Sequence, residues 1–509
     1  MSGQTLLMMT FVSADGGWVA EYDQGATWYS GGSNIGRQFV AHNNSGNVNL
    51  IGSNYNNSND QDYRTYMLEV DLGNATVKSS SRWTGQNNNA SNTQNVKMAM
   101  AQYNYQQGKW YCNVGNQDWY ELDGTTAVNG GAMLVLDDNG ATHDELTSST
   151  PIPGADMYYK VLTDNNDYGW LLMTGGDTVR YFYDVDTSYS PTRILQAYEA
   201  QSSGGTWSNT RGLTAAPNMG QFAIYNSVSN GEFSVSFHNR GTGNLSYIAR
   251  KVPGNDSGSG YDTNNFDNVN SMDNSYYCYP ITYNNGQSRV AFIRINNAST
   301  YVSCRLTRYS YNNFNARLNS GLNLQVPEAS GSYVYALSSL LYYNNSNVYV
   351  NAGVLFKLQK SDMTIVGATA FIRNPTNPPG NNDNTFAGGP YTGFNLTQDE
   401  KFVLIGGTTR NSQSYGNDPL YIIKHPADFT KMIYGTQGNF YFWDFNASST
   451  GGTYPTKNEV LGISSSSQST YNRSLSISNQ AGTYYEDNGQ RYNTRLTNDP
   501  FTVTKTDIT

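Results

Sequence analysis

The stretch FVAHNNSGNVNLIG (residues 39–52), followed by TYMLEVDLGNATVKSSSRW (65–83), decides the fold. In the first segment, apolar and polar residues alternate on both sides of Asn43-Asn44-Ser45-Gly46. That pattern reads as a strand, a tight turn and a second strand. The second segment repeats the plan with an aliphatic strand, an Asp/Gly/Asn turn and another strand. Two hairpins in succession make a four-stranded antiparallel unit.

The first hairpin recurs at 98–115, 158–176, 222–239, 279–295, 335–353 and 392–407, and more loosely at 460–478. The second recurs at 132–146, 181–195, 245–254, 301–311, 354–371 and 420–434. Units start near 39, 98, 158, 222, 279, 335, 392 and 460, a spacing of about sixty residues. Seven units with both hairpins fall within 37–457, and the eighth first hairpin, in 458–509, lacks a partner downstream. The segment WVAEYDQGATWYS (18–30), within 1–36, offers an orphan second hairpin. Pairing tail with head completes an eighth unit and removes open sheet edges. The expected fold is therefore all-β: a single closed β-propeller of about eight four-stranded blades, seven being the variant count. It spans 1–509 as one domain, with 1–36 and 458–509 as the closing pieces. An open β-solenoid or two stacked sandwiches are the alternatives.

Composition agrees with an all-β chain. Of 509 residues, 37% are hydrophobic and 14% charged, while Gly (50) and Tyr (41) are abundant. Disordered chains are rich in charge and poor in aromatics, whereas this chain is 13% aromatic. A net charge of −9 without a basic stripe argues against nucleic acid as a partner. No apolar run reaches the length of a spanning helix, so membrane insertion is not expected. The N-terminal stretch MSGQTLLMMTFVSADGG has no basic leader region and reads as a strand. Three scattered cysteines (Cys112, Cys278, Cys304) do not form a disulfide framework and suit a reducing cytoplasm.

The segment EYDQGATW (21–28) resembles the Asp box, the outer-strand turn of sialidase-like propellers. Asp23, Gly25, Thr27 and Trp28 stand at its four characteristic positions, with Glu21 where Ser is usual. The resemblance implies a structural turn and no activity.

Catalytic signals are weak. His42, His143, His238 and His425 are not at metal-ligand spacing, so neither metal nor cofactor is expected. Asp23, Asp71, Asp137 and Asp186 fall in outer turns, away from a propeller axis where a glycosidase would place its carboxylates. Arg37, Arg289 and Arg294 are too few for a sialidase arginine cluster. Asp137-Asp-Asn-Gly140 and Asp164-Asn-Asn-Asp167 lack the full oxygen-ligand spacing of calcium loops and read as turns. Tyr and Asn crowd other loops, as at Asn54-Tyr55-Asn56-Asn57 and Tyr342-Tyr343-Asn344-Asn345, a combination suited to contact surfaces.

A low-charge, Asn/Gly/Ser/Thr/Tyr-rich chain of long degenerate repeats resembles structural proteins of tailed-phage virions, especially those of marine hosts. The resemblance implies a non-enzymatic tail, fibre, baseplate or capsid-surface component, assembled in the host cytoplasm and located in the virion. Its implied partners are other virion proteins, copies of itself or a host surface glycan. The alternatives are a carbohydrate-active enzyme (a depolymerase or sialidase-like hydrolase) and a bacterial surface adhesion protein.

Overall fold

The computed structural model describes side chains over residues 16–23, 38–52, 65–83, 101–112 without 106, 134–143, 331–337, 352–361, 365–373, 393–407, 419–445 and 495–509. For the other strands named below it describes backbone pairing. The described residues form antiparallel strands, with one 3-10 turn at Phe429–Lys431. The architecture is an all-β propeller.

Seven meander sheets follow one another along the chain. Sheet 1 holds Gln38–His42, Asn47–Asn56, Asp62–Asp71 and Val77–Gly85. Sheet 2 holds Lys97–Asn104, Lys109–Gly115, Ala132–Asp137 and Thr142–Ser148, and sheet 3 runs from Leu162–Thr163 to Arg193–Ser202. Sheet 4 runs from Thr210–Ala216 to Leu245–Lys251, and sheet 5 from Val269–Met272 to Val302–Arg308. Sheet 6 holds Arg317–Gln325, Tyr333–Tyr343, Tyr349–Gln359 and Ile365–Arg373. Sheet 7 holds Gly393–Leu396, Phe402–Thr408 and Leu420–Pro426, and takes its fourth strand, Trp18–Asp23, from the other end of the chain. The first strand of each sheet lies against the first strand of the next, and Gly393–Leu396 of sheet 7 lies against Gln38–His42 of sheet 1.

The chain beyond 434 does something different. It travels round the outside in the reverse order of the sheets, laying one short strand on the fourth strand of each sheet it reaches. Phe440–Asp444 pairs on sheet 6, Asn458–Val460 on sheet 5, Leu475–Asn479 on sheet 3 and Tyr485–Glu486 on sheet 2. Asn493–Thr497 then pairs on sheet 1, and Thr502–Asp507 on Trp18–Asp23 of sheet 7. Among the described residues, sheet 4 receives no such strand.

This strap corrects the reading of both chain ends. Of the expected hairpin 18–30, residues 24–30 lie outside the described residues, and the strand Trp18–Asp23 is paired on both sides by other segments. A strand has two hydrogen-bonding edges, and Leu420–Pro426 and Thr502–Asp507 occupy both. The described strands of 458–509 form no unit of their own: each is laid on a different one of the other sheets. The expected pairing of head and tail exists at Trp18↔Asp507 through Asp23↔Thr502, as a fifth strand added outside the fourth. The 420–434 segment is likewise no hairpin: its first part is a strand of sheet 7, and the chain then leaves through the 3-10 turn.

Period-two alternation decides which neighbour each side chain meets. On sheet 7, Trp18, Ala20, Tyr22, Leu404, Leu420 and Ile422 face sheet 1, where Val48, Leu50, Tyr66, Leu68 and Val70 pack against them. The intervening residues Val19, Val403, Ile405, Tyr421 and Ile423 face sheet 6, meeting Leu337, Leu355, Phe371, Phe440 and Phe442. Sheet 1 repeats the arrangement, turning Ile51, Met67 and Trp83 towards Trp110, Leu134 and Leu136 of sheet 2. Trp18 and Trp83 are fully buried. Burying each such ring contributes on the order of 2–3 kcal/mol. Glu21, the only acidic residue of its strand before the exposed Asp23, is buried against sheet 6. There Arg373 Nε and Asn439 Nδ2 both donate to its carboxylate.

Candidate functional site

The two junctions of sheet 7 end differently at the turns. Towards sheets 1 and 2 the turns interlock. Asn43 Oδ1 accepts from Ser45 N (3.1 Å) and Asn47 N (2.8 Å), closing the turn on itself. Asn43 Nδ2 donates to Asn49 Oδ1 (3.0 Å) and Glu69 Oε1 (3.1 Å). Asn49 in turn accepts from Trp110 Nε1 (3.2 Å) of sheet 2 and donates to Asp138 O (2.9 Å). Tyr103 Oη donates to Asp138 Oδ1 (2.5 Å) and accepts from Asn44 N (2.9 Å). Burial, then that bond to Asp138, pushes the Tyr103 phenol well up. From sheet 7, Gln398 N donates to His42 Nδ1 (3.0 Å), Gln398 Nε2 to Asn44 Oδ1 (3.0 Å) and Asn395 Nδ2 to Tyr105 Oη (3.2 Å). The Asn/Gly turn of the first hairpin is thus a joint between three sheets.

Towards sheet 6 the junction opens into a cleft of about 690 Å³. Its walls come from the start of the second strand of sheet 6 (Gly331, Tyr333, Tyr335), from Lys357, from the Glu400–Phe402 turn and from 426–431. Lys357 Nζ donates to Ala427 O (2.8 Å) and lies 4.2 Å from the Tyr333 ring centroid, 5.9 Å from Phe429 and 6.0 Å from Tyr335. Burial lowers its pKa, and Asp428 opposes that shift. Asp428 caps the 3-10 turn, accepting from Thr430 Oγ1 (2.7 Å) and Thr430 N (3.1 Å). Those bonds hold its carboxyl below the usual range. Burial raises the Tyr335 phenol, helped by the Glu400 charge. Tyr333 keeps 37% of its surface open.

Glu400 is conformationally out of place. Its φ is 57°, the left-handed region, and its N–H donates to Thr397 O (2.9 Å). The equivalent position in the sheet 1 turn is Gly46, with φ 79° and its N–H on Asn43 O (3.1 Å). A side chain in this region costs roughly 1 kcal/mol or more relative to glycine. The Glu400 carboxylate accepts no hydrogen bond from the described residues. It leans on Gly331, where an added Cβ would stand 2.8 Å from Oε2.

Behind the cleft, His425 is fully buried, its Nδ1 2.7 Å from Pro426 O and its ring edge-on to Phe429 at 4.7 Å. Burial depresses its pKa to about 4.

Among the described residues, none of the candidates singled out from sequence lines this cleft. Asp23 ends its strand exposed, and Gly25, Thr27 and Trp28 lie outside the described residues. Asp71 Oδ1 accepts from Gly73 N (2.9 Å) and Asn74 N (3.0 Å), and Asp137 pairs with Lys109 (2.7 Å), so both serve turns. Cys112 is buried in the sheet 1–sheet 2 core, which pushes its thiol well up. The Tyr/Asn stretches expected as loops are in part strand: Asn54, Tyr55 and Asn56 pair with Arg64, Tyr63 and Asp62, and Tyr342 and Tyr343 with Val350 and Tyr349. Asn57, Asn344 and Asn345, and the side chains of Arg37, Asp164, Asp167, Asp186, Arg289, Arg294, His238, Cys278 and Cys304, lie outside the described residues. Sequence reasoning missed Lys357, Glu400 and Asp428. A glutamate where the other turn has glycine, and the Asp-Phe-Thr cap, were the available signals.

No family model matches the chain, and no curated protein does. Among solved structures, the WD40 domain of SCAP from fission yeast aligns over 79% of this chain and 96% of its own, at 8% identity and TM-score 0.38. A putative 6-phosphogluconolactonase from Bacteroides uniformis aligns over 78% and 99%, at 13% identity and TM-score 0.37. The catalytic domain of a Coprinopsis cinerea GH62 α-L-arabinofuranosidase aligns over 81% and 98%, at 7% identity and TM-score 0.29. Likeness at this level transfers no residue and no activity.

Proposed function

We propose that the chain is a non-enzymatic structural protein of a tailed-phage virion, a tail, fibre, baseplate or capsid-surface component. Its propeller makes subunit or host-surface contacts. The observation that supports this best is how the polar residues are spent. Asn49 with Trp110 and Asp138, and Asn44 with Tyr103, join sheet 1 to sheet 2; Gln398 and Asn395 join sheet 7 to both, and Glu21 with Arg373 joins it to sheet 6 on the other side. The outer strap adds edge pairing to six sheets. A body built this way resists deformation, which suits a part that must hold position in an assembly.

The test is composition of the particle. Virions banded on a density gradient are expected to contain the chain at fixed stoichiometry to the major capsid protein by quantitative mass spectrometry. Its confinement to the soluble lysate would overturn the reading. So would release of reducing ends from host polysaccharide that is abolished by changing one carboxylate, which would favour the hydrolase. Contacts that draw on aromatic area and scattered hydrogen bonds should depend weakly on ionic strength.

A further inference from the structure

We propose that the cleft between sheets 6 and 7 binds a neutral oligosaccharide. Tyr333 stacks on a sugar ring, Glu400 and Asp428 accept from hydroxyls, and Lys357 donates to one. The proposal rests on the host-surface half of the reading above and names its ligand class.

Four features converge on it. First, the cleft keeps a carboxylate at a backbone position where glycine is relaxed, at Glu400 with φ 57°, and Gly331 leaves the space that carboxylate fills. Strain of this kind clusters at functional sites, and of the three described non-glycine residues that carry it, Ala75, Glu400 and Asn498, Glu400 lines the cleft. Second, the Glu400 carboxylate has free acceptor capacity, and Lys357 Nζ spends one of its three protons on Ala427 O. Third, Tyr333 is a ring with an ammonium 4.2 Å from its centroid and over a third of its surface open, next to those groups. An aromatic face flanked by donors and acceptors matches a pyranose, which has an apolar C–H face and an equatorial rim of hydroxyls. Fourth, the charges lining the cleft balance: Lys357, Lys401 and Lys431 against Glu400, Asp428 and Asp507. The lining side chains carry no net charge that would select a charged ligand. A purely apolar guest would strand these groups without partners. A ligand amine would compete for an aromatic box that Lys357 already fills. The volume, about 690 Å³, lies within the range of small-ligand sites.

The experiment is titration calorimetry of the full chain with maltotriose, cellotriose and triacetylchitotriose, preceded by a printed array of neutral and acidic oligosaccharides. At least one neutral saccharide is expected to bind saturably, with affinity changing less than about twofold on raising salt to about 1 M. Tyr333→Ala and Glu400→Gly should each weaken binding about tenfold or more. Glu400→Gly should do so with a melting temperature no lower than wild type, because it relieves the backbone while removing the carboxylate. A residue with a merely structural role would not separate the two readouts. Leu496→Ser, at an exposed site on the strap, should leave binding unchanged. Absence of saturable binding across the array overturns the proposal, as does binding that both cleft variants leave intact. Selective, steeply salt-dependent capture of acidic glycans overturns the neutral class. None of these results bears on particle stoichiometry, so failure here and failure of the virion reading are separately visible.

Discussion

Sheet 7 packs against a neighbour on each side with the same strands, yet its two interfaces end in opposite ways. On the sheet 1 side, the apolar layer of Trp18, Tyr22, Leu50 and Tyr66 runs into a turn where His42 and Asn44 accept hydrogen bonds from Gln398 across the junction. On the sheet 6 side, the layer of Ile405, Tyr421, Phe371 and Phe442 gives out at a cleft. Groups are charged there, and the left-handed residue, Glu400, carries a carboxylate, whereas the left-handed Ala75 on the sheet 1 side carries only a methyl group. The difference lies in single positions: Asn43 and Gly46 on one side, Thr397, Glu400 and Gly331 on the other. A degenerate repeat can keep its strands everywhere and differ where turns meet.

The comparison can be broken at three strengths. The largest effect is expected at the buried pair that ties sheet 7 to sheet 6. Arg373→Met leaves the buried Glu21 carboxylate without its cation, with the neutral Asn439 amide still donating to it, and should cost about 3–5 kcal/mol in chemical denaturation. Glu21→Leu combined with Arg373→Met should recover most of that loss. A single variant costing less than about 1 kcal/mol would mean that the sheet 6 interface does not depend on the pair.

The second lever is pH. His425 is held neutral by burial, with a folded pKa of about 4 against 6.5 in the unfolded chain. Between those values the unfolded state binds more protons, so stability falls as pH drops from about 6.5 to 4 and is fully present above. The contribution is of the order of 3 kcal/mol. His42, on the sheet 1 side, is shifted the same way by burial, while Asp399 opposes it. The carboxylates of Asp399 and Asp428, held below their usual range, add losses only below about pH 5. The melting temperature should therefore begin to fall near pH 6.5, and His425→Gln should flatten that upper limb. An unchanged limb would place the titrating group elsewhere.

The smallest effect is the most diagnostic. Gly46→Ala adds a Cβ that meets nothing within 4 Å, so its cost is backbone alone, about 1 kcal/mol of destabilisation. Glu400→Gly should stabilise by a similar amount. Opposite signs at equivalent turns, read as shifts in denaturation midpoint, would fix the strain on the cleft side. Equal signs would erase the distinction.

Much of the fold was legible because alternation and Asn/Gly turns are local signals. They identified the first hairpins of sheets 1, 2, 3 and 7. They mistook the phase in the middle of the chain. Segments 222–239 and 335–353 are the second and third strands of their sheets, and the inner strands Thr210–Ala216 and Arg317–Gln325 escaped notice. A turn between strands one and two looks the same in sequence as one between strands two and three. The strap was invisible for another reason. Strands such as Asn458–Val460 and Tyr485–Glu486 are too short to show a period, and Thr502–Asp507 is largely exposed. Their pairing is set by where the chain must travel. The cleft combines residues from Gly16 to Thr509, so no window of sequence contains it.

The strap has a mechanical consequence. Trp18 faces Asp507 and Asp23 faces Thr502, so the outward ends of both strands emerge on the same side. Gly17 N–H donates to Thr509 Oγ1 (2.7 Å), and Ile508 N–H donates to Gly17 O (3.0 Å), at that exit. Tension applied between Gly17 and Thr509 therefore loads these bonds one after another, as a zipper opens, and never shears the six-residue ladder as a block. The final strand peels away at low force while Trp18–Asp23 stays paired to Leu420–Pro426. An attachment made through both ends of the chain would yield by a short, reversible extension before the sheets themselves bore any pull.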